Sequence, residues 1–326
     1  MAIPGRGEFC KKPMPEFFHD RKDAKALFQT LAAEKGYPAA VVEKDYWVMH
    51  CLWGLQKNGL HFEMKGGTSL SKGWNIIQRF SEDIDIRFDP PAKLNIKGEK
   101  PAHIAARFGF YDDLAAKIVI PGIKTERNRA FDDEKAQNGG ISLKYDPYFD
   151  PLPSLKPEVL LEAGFAKTAP NEPRDFSSWA LDKALVAGLP VIDNRAPAVK
   201  CFNPEYTFVD KLQTICRRFR QHRDRNHKER DLPRQFLRHY YDLFMLLGVE
   251  RVQAFIATGA YAAYKTEKLK GADAAEFASR TPFTLENPKT FALFDKEFDS
   301  MNTLLLGPGP KFKEVVAKLR EFSPRF

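Results

Sequence analysis

Cysteine is scarce in this chain: four residues in 326, at Cys10, Cys51, Cys201 and Cys216. None forms a CxxC pair or a Cys/His cluster at zinc spacing, so reduced, mostly buried thiols and no structural zinc are expected. The seven histidines show no pairing at metal spacing. GxSxG, HExxH and GxxxxGK[ST] are all missing, which removes the usual signatures of a nucleophile elbow, a zinc protease and a P-loop. No apolar run reaches membrane-spanning length, and the opening MAIPGRGEFCKKP has no signal-peptide core. A cytoplasmic protein without membrane contact is the expectation.

What is present is a hydrophobic content of 43% with 27 phenylalanines, enough to build a substantial core. The length suits one large domain or two lobes. Net charge is +8, and eight Lys/Arg against three Asp/Glu fall within residues 217–234 (RRFRQHRDRNHKERDLPR). Such a cationic stretch fits a nucleic-acid backbone, with Arg217, Arg218, Arg220 and Arg223 as candidate RNA contacts. A solvated helix end and loop is the plain alternative.

The most informative stretch is residues 65–88, KGGTSLSKGWNIIQRFSEDIDIRF. His61–Lys65 is a short strand candidate that runs into Gly66-Gly67-Thr68-Ser69. Ser69–Ile77 has helical spacing at Leu70, Trp74 and Ile77, with Gly73 as its one breaker. Asp83–Phe88 alternates polar and apolar, the strand period, so Asp83 and Asp85 share one face and Ile84, Ile86 and Phe88 the other. Two carboxylates placed in this way can grip one or two Mg²⁺ ions, hard cations that prefer oxygen. The glycines let backbone N–H groups approach a phosphate, and a helix N-terminus adds donors. Thr68 and Ser69 can add hydroxyls, Lys65 and Lys72 charge, and Arg79 a contact to base or phosphate. Ser81 and Glu82 read as turn or strand-entry residues. A strand, a Gly turn, a helix and a DxD strand in that order fit a metal–nucleoside triphosphate.

These residues resemble the nucleotidyltransferase superfamily of DNA polymerase β type, although the fifteen residues between Gly67 and Asp83 are slightly more than usual. The wording is closer still to the AbiEii-type branch, which includes type IV toxins and MenT-like toxins. EKDYWVM (43–49), YTFVDKLQTICRR (206–218) and HYYDLFML (239–246) match that branch as well, so the resemblance runs in patches over residues 38–250. It implies an α+β fold: a polymerase β-type mixed sheet with flanking helices, plus a helical C-terminal lobe. It implies a third carboxylate from a neighbouring strand. Glu162 in VLLEAGF is the best candidate, as metal ligand or general base, because a lone acid in an apolar strand needs a charged partner. An edge strand with a solvated Glu162 is the alternative. Lys211 stands where the branch has a lysine that offsets triphosphate charge. Asp242 stands in a motif usually worded Arg-Asp-x-Tyr-Asp-Leu, paired with Lys211 or the nucleotide; here the first Asp is replaced by His239. The activity implied is Mg²⁺-dependent transfer of a nucleotide from an NTP to RNA, with tRNA as acceptor, growth arrest as outcome and a cognate antitoxin as partner. Transfer of a nucleotide or phosphoryl group to a protein, or non-catalytic nucleotide or RNA binding, remain as alternatives.

Along the rest of the chain, residues 15–35 and 38–55 read as helices that brace the sheet. Glu43-Lys44-Asp45 reads as a surface salt-bridge cluster rather than a reach into the nucleotide pocket. Residues 92–139 look like an inserted excursion with a helix at Pro101–Lys117. Strands are expected at 140–145, 157–165 and 199–202, and a helix at 177–189. Helices are expected at 206–219, 235–247, 250–258, 272–279, 290–304 and 311–321. A boundary near residue 200 would divide a nucleotidyltransferase lobe (1–200) from a helical lobe (201–326).

Overall fold

Ile84 and Ile86 are fully buried while Asp83 and Asp85 are only partly covered, so the alternation of this strand orients the whole sheet. The computed structural model describes residues 14–89, 91, 94, 96, 98–150, 152–153, 155–224, 236–299 and 305–326. In chain order the elements begin with helices α1 (Ala24–Lys35) and α2 (Ala39–Lys57), strand β1 (Phe62–Lys65) and a short helix α3 (Gly66–Thr68). A π turn over Ser69–Gly73 follows α3. Next come β2 (Asp83–Phe88), α4 (Pro101–Lys117), β3 (Lys124–Asn128), β4 (Asn138–Lys144), β5 (Val159–Gly164), β6 (Asn171–Phe176), α5 (Trp179–Val186) and β7 (Ala196–Phe202). The remainder is helical: α6 (Pro204–Asp224), α7 (Arg238–Leu246), α8 (Glu250–Ile256), α9 (Gly259–Lys268), α10 (Gly271–Ser279), α11 (Thr281–Thr284), α12 (Pro288–Asp299) and α13 (Phe312–Phe322).

The strands form one mixed seven-stranded sheet in the order β3-β4-β5-β2-β1-β7-β6. With its flanking helices this is the α+β fold expected of a nucleotidyltransferase. β2 lies between β1, antiparallel, and β5, parallel. One sheet face carries Ile84, Ile86, Val159, Leu161 and Ala163 into a core shared with Val42, Leu52 and Leu55 of α2 and Leu114 of α4. A second core gathers Phe208, Leu212, Tyr240, Phe294 and Val315 from the C-terminal helices; Leu70, Ile77, Ala169 and Phe202 reach into it from the sheet side. The three described cysteines are free and buried.

Several expectations need correction. The helix expected over 69–77 ends early: the π turn stops at Gly73 and Asn75 adopts a left-handed φ of 51°. The first helix starts at Ala24, preceded by a 3₁₀ turn at Phe18–Asp20. The polar stretch 125–140 is no excursion, because it supplies β3 and the start of β4. Strand β3 (KTERN) is the sheet's edge and is half-exposed along most of its length, so it lacks the apolar alternation that marks a strand. β6 (NEPRDF) escaped notice at the other edge for the same reason. Glu43, Lys44 and Asp45 are each buried, not a surface cluster. Among the described residues, no helix is long and apolar enough to cross a membrane.

Candidate active site

Asp83 and Asp85 project from β2 on the face opposite the aliphatic core, and Glu162 on β5 is in direct register with Asp85. β5 is an interior strand between β2 and β4, so Glu162 is not the solvated edge residue of the alternative reading. Its carboxyl is pushed up to about 7, first by burial and then by the charges of Asp85 and Asp83, with Lys65 and Lys156 opposing. Three carboxylates held this close repel one another, and a divalent cation is the natural way to satisfy such an oxygen-only set. Among the described residues, no three acidic, histidine or cysteine side chains converge into a finished ion cage. The two carboxylate oxygens of Asp83 each accept a hydrogen bond from Lys156 Nζ at 2.8 Å.

The Gly turn is fitted to these acids. Gly66 has a φ of +78°, and a Cβ there would stand 2.0 Å from Asp85 Oδ2. A Cβ on Gly67 would stand 2.7 Å from Ser81 Oγ and 2.8 Å from Arg79 Nη2. Both positions therefore need glycine for close approach, and Gly66 for its backbone as well. The Thr68 hydroxyl donates to the Asp83 carbonyl at 2.5 Å, which ties the turn to β2.

Gly66, Gly67, Asp83, Asp85 and Glu162 open onto one cavity of about 750 Å³. Its opposite wall is the face of α6 that carries Lys211, Thr214, Arg217, Arg218 and Gln221, with Arg238 and His239 beside it. A third wall is the turn between β3 and β4, where Phe131 stays 41% exposed despite its size.

Behind Lys211 lies a buried charge cluster. Asp242 accepts two hydrogen bonds from Arg79, at 2.7 and 2.8 Å, and an ion pair from Lys211 Nζ at 2.6 Å. Burial alone would raise the Asp242 carboxyl, but Arg79 and Lys211 together hold it well below the usual carboxylate range. His239 Nδ1 lies 3.3 Å from Lys211 Nζ, and burial together with that ammonium keeps the imidazole neutral. Burial lowers Lys211, with Asp242 opposing.

A family model described as Nucleotidyl transferase AbiEii toxin, Type IV TA system, matches residues 50–318. The chain belongs to this family. Comparison with curated proteins finds no match. The match supports a nucleotidyltransferase of a toxin–antitoxin system, and the mixed sheet with its flanking helices is consistent with that fold.

Not every residue singled out in the sequence faces the cavity of this AbiEii chain. Asp242 does not line it and acts on it through Lys211 and Arg79. Thr68 and Ser69 are fully buried, Ser69 beside Cys201. Lys72 pairs with Asp45 at 2.5 Å and lies 4.2 Å over the Trp179 ring, beside a separate cavity of about 520 Å³. Arg220 and Arg223 are turned to α10, where they pair with Asp273 and Glu276. Residues 225–234 of the basic stretch lie outside the described residues.

Sequence reading missed Lys156 and the purpose of the EKD run. Glu43 accepts from the backbone N–H groups of Tyr148 and Phe149, and Asp45 from that of Trp179 at the start of α5. Lys44 donates to the carbonyls of Lys156 and Glu158 and pairs with Glu82, so Glu82 is more than a strand-entry residue. A Lys in a proline-rich loop carries no local pattern; the one signal was three consecutive charges inside an otherwise apolar helix.

Proposed function

We propose that this AbiEii toxin transfers a nucleotide from an NTP to a hydroxyl of RNA, with tRNA as the acceptor. The observation that carries the reading is the convergence of Asp83, Asp85 and Glu162 with the Gly66-Gly67 turn and Lys211 on one cavity. Asp83, Asp85 and Glu162 would hold Mg²⁺, two ions in the full arrangement, supplying charge neutralisation and alignment for an in-line displacement. The acceptor hydroxyl forms its bond to the α-phosphorus, the bond to the β-phosphate bridging oxygen breaks, and pyrophosphate leaves. Where Glu162 is not itself a metal ligand, its carboxylate is the group that would take the hydroxyl proton. The Gly66-Gly67 backbone holds phosphate oxygens, with Thr68 fixing the turn from behind. Lys211, oriented by Asp242, offsets the negative charge of the triphosphate.

The acceptor backbone lies along the α6 face that carries Arg217 and Arg218, through salt-sensitive phosphate contacts. The family's type IV toxin–antitoxin description supports a cognate antitoxin as partner. The deciding experiment offers total tRNA and total protein in parallel as acceptors for each labelled NTP, with Mg²⁺. Label in the tRNA fraction, absent with Asp83→Ala, supports the reading; label in protein alone, or none with any NTP, overturns it.

A further inference from the structure

Lys156 is the least expected occupant of the cavity. Its ammonium sits 2.8 Å from both oxygens of Asp83, a symmetrical grip on the carboxylate at the head of β2. The backbone beneath it is clamped on both sides. The Lys156 N–H donates to Glu82 Oε2 at 2.8 Å, and the Lys156 carbonyl accepts from Lys44 Nζ at 2.6 Å. Lys44 and Glu82 are themselves a buried pair 3.6 Å apart. The Cα is therefore fixed and only the side chain has freedom. That side chain keeps 20% of its surface in the cavity, and its ammonium also lies 5.1 Å from the centre of the exposed Phe131 ring.

An ammonium and a divalent cation compete for one carboxylate: the two cations repel, and the ammonium already holds a lone pair on each oxygen of Asp83. A triphosphate entering the same cavity offers Lys156 a better partner, since lysine is a compact point charge well matched to phosphate oxygens. We propose that Lys156 is a positioning residue that serves as the counter-ion of Asp83 while the site is empty and passes to the triphosphate when nucleotide and metal enter together. Metal alone then binds weakly, because it must displace Lys156 into water. Metal with nucleotide binds strongly, because the nucleotide draws Lys156 away, and by linkage each favours the other equally. The inference rests on the metal–NTP reading above.

The test is Mn²⁺ binding, read from the electron paramagnetic resonance signal of the free ion. It compares the wild-type chain with Lys156→Met, Lys156→Gln, Lys156→Arg and Asp83→Asn, alone and with α,β-methylene analogues of the four nucleoside triphosphates. Lys156→Met and Lys156→Gln are expected to bind Mn²⁺ alone about tenfold more tightly, the order of a partly buried ion pair. Both lose most of the mutual strengthening between Mn²⁺ and analogue. Lys156→Arg keeps the wild-type pattern and Asp83→Asn binds least. A disturbed fold would not raise affinity for a metal, so the gain separates this role from a merely structural one. Unchanged or weaker Mn²⁺ binding in both neutral variants, with Asp83→Asn still impaired, overturns the role of Lys156 and leaves the metal reading intact. Asp83→Asn binding like the wild type overturns both.

Discussion

Gly66→Ala isolates the coupling between the phosphate turn and the acids. Two costs arise at this position. The backbone at φ +78° disfavours any L side chain, by about 1–2 kcal/mol. The new methyl would also stand 2.0 Å from Asp85 Oδ2, where real Cβ contacts stay beyond 3.0 Å, so Asp85 or the turn must shift by about 1 Å. Misplacement on that scale at a reacting centre costs on the order of 10²-fold in rate. Gly59→Ala is the matched control, because its φ of +72° imposes the same backbone penalty with no atom within 4 Å of the new methyl. Urea unfolding should find Gly59→Ala less stable by about 1–2 kcal/mol, and Gly66→Ala less stable by about a further 1–3 kcal/mol for the displaced Asp85 or turn. NTP incorporation at saturating substrate should fall about a hundredfold in Gly66→Ala alone. If Gly66→Ala keeps activity within about threefold of Gly59→Ala, the claim that the turn and Asp85 work as one unit is refuted.

Asp242→Ala leaves Arg79 and Lys211 buried without their counter-charge and should cost about 3–5 kcal/mol in urea unfolding; a loss below about 1 kcal/mol would mean that the cluster is not the anchor described. Glu162 titrates near 7 in the fold against 4.5 in the free side chain, so the folded state binds more protons in that window and metal-free stability falls as pH rises through it. Glu162→Gln escapes this loss, and its stability relative to wild type in EDTA should rise between pH 5 and pH 8 by up to about 3 kcal/mol; a flat difference refutes the assignment. Charge reversal at Arg217 and Arg218 should weaken tRNA binding and flatten its salt dependence, whereas reversal at Arg220 and Arg223 should lower Tm through Asp273 and Glu276 and leave the salt slope unchanged. Lys72→Met should cost about 2 kcal/mol by stripping Asp45 of its cation, yet leave NTP affinity unaltered.

The parts of the site that could be read in advance are those where local period and chemistry coincide. In DIDIRF the two-residue period alone assigned Ile84 and Ile86 to the core and both aspartates to the other face. In VLLEAGF the same rule sets Leu161 against Glu162. What could not be read was direction in three dimensions. Thr68, Ser69 and Lys72 follow the Gly turn in sequence, but the helical rotation and the π turn carry them behind it. Arg220 and Arg223 share a charge run with Arg217 and Arg218, yet helical rotation sends them to a different neighbour. The edge strands β3 and β6 were invisible because edges are permitted to be polar on both faces.

The buried charges fall into a pattern that no single pair explains. An ion pair in a protein interior is seldom the most stabilising choice, since apolar residues of the same volume often do as well or better. Here buried charges recur around the active-site cavity and in the segments next to it. Glu43 holds the backbone at 148–149, Lys44 and Glu82 hold that at 156–158, and Asp45 holds the start of α5. Asp242 holds Lys211 in the cavity wall and ties it to Arg79, which lies beside Gly67. Glu43, Lys44 and Glu82 fix irregular segments at 148–149 and 156–158 that have no sheet or helix ladder of their own. Hydrophobic contacts are non-directional and would leave these loops free to slide; a charged hydrogen bond to a named backbone atom does not. Three of these contacts radiate from consecutive residues of one helix, Glu43, Lys44 and Asp45. A shift of α2 would therefore displace the 148–149 backbone, the Lys156 loop and the start of α5 at once, which makes α2 the structural base of the site although none of its residues lines the cavity.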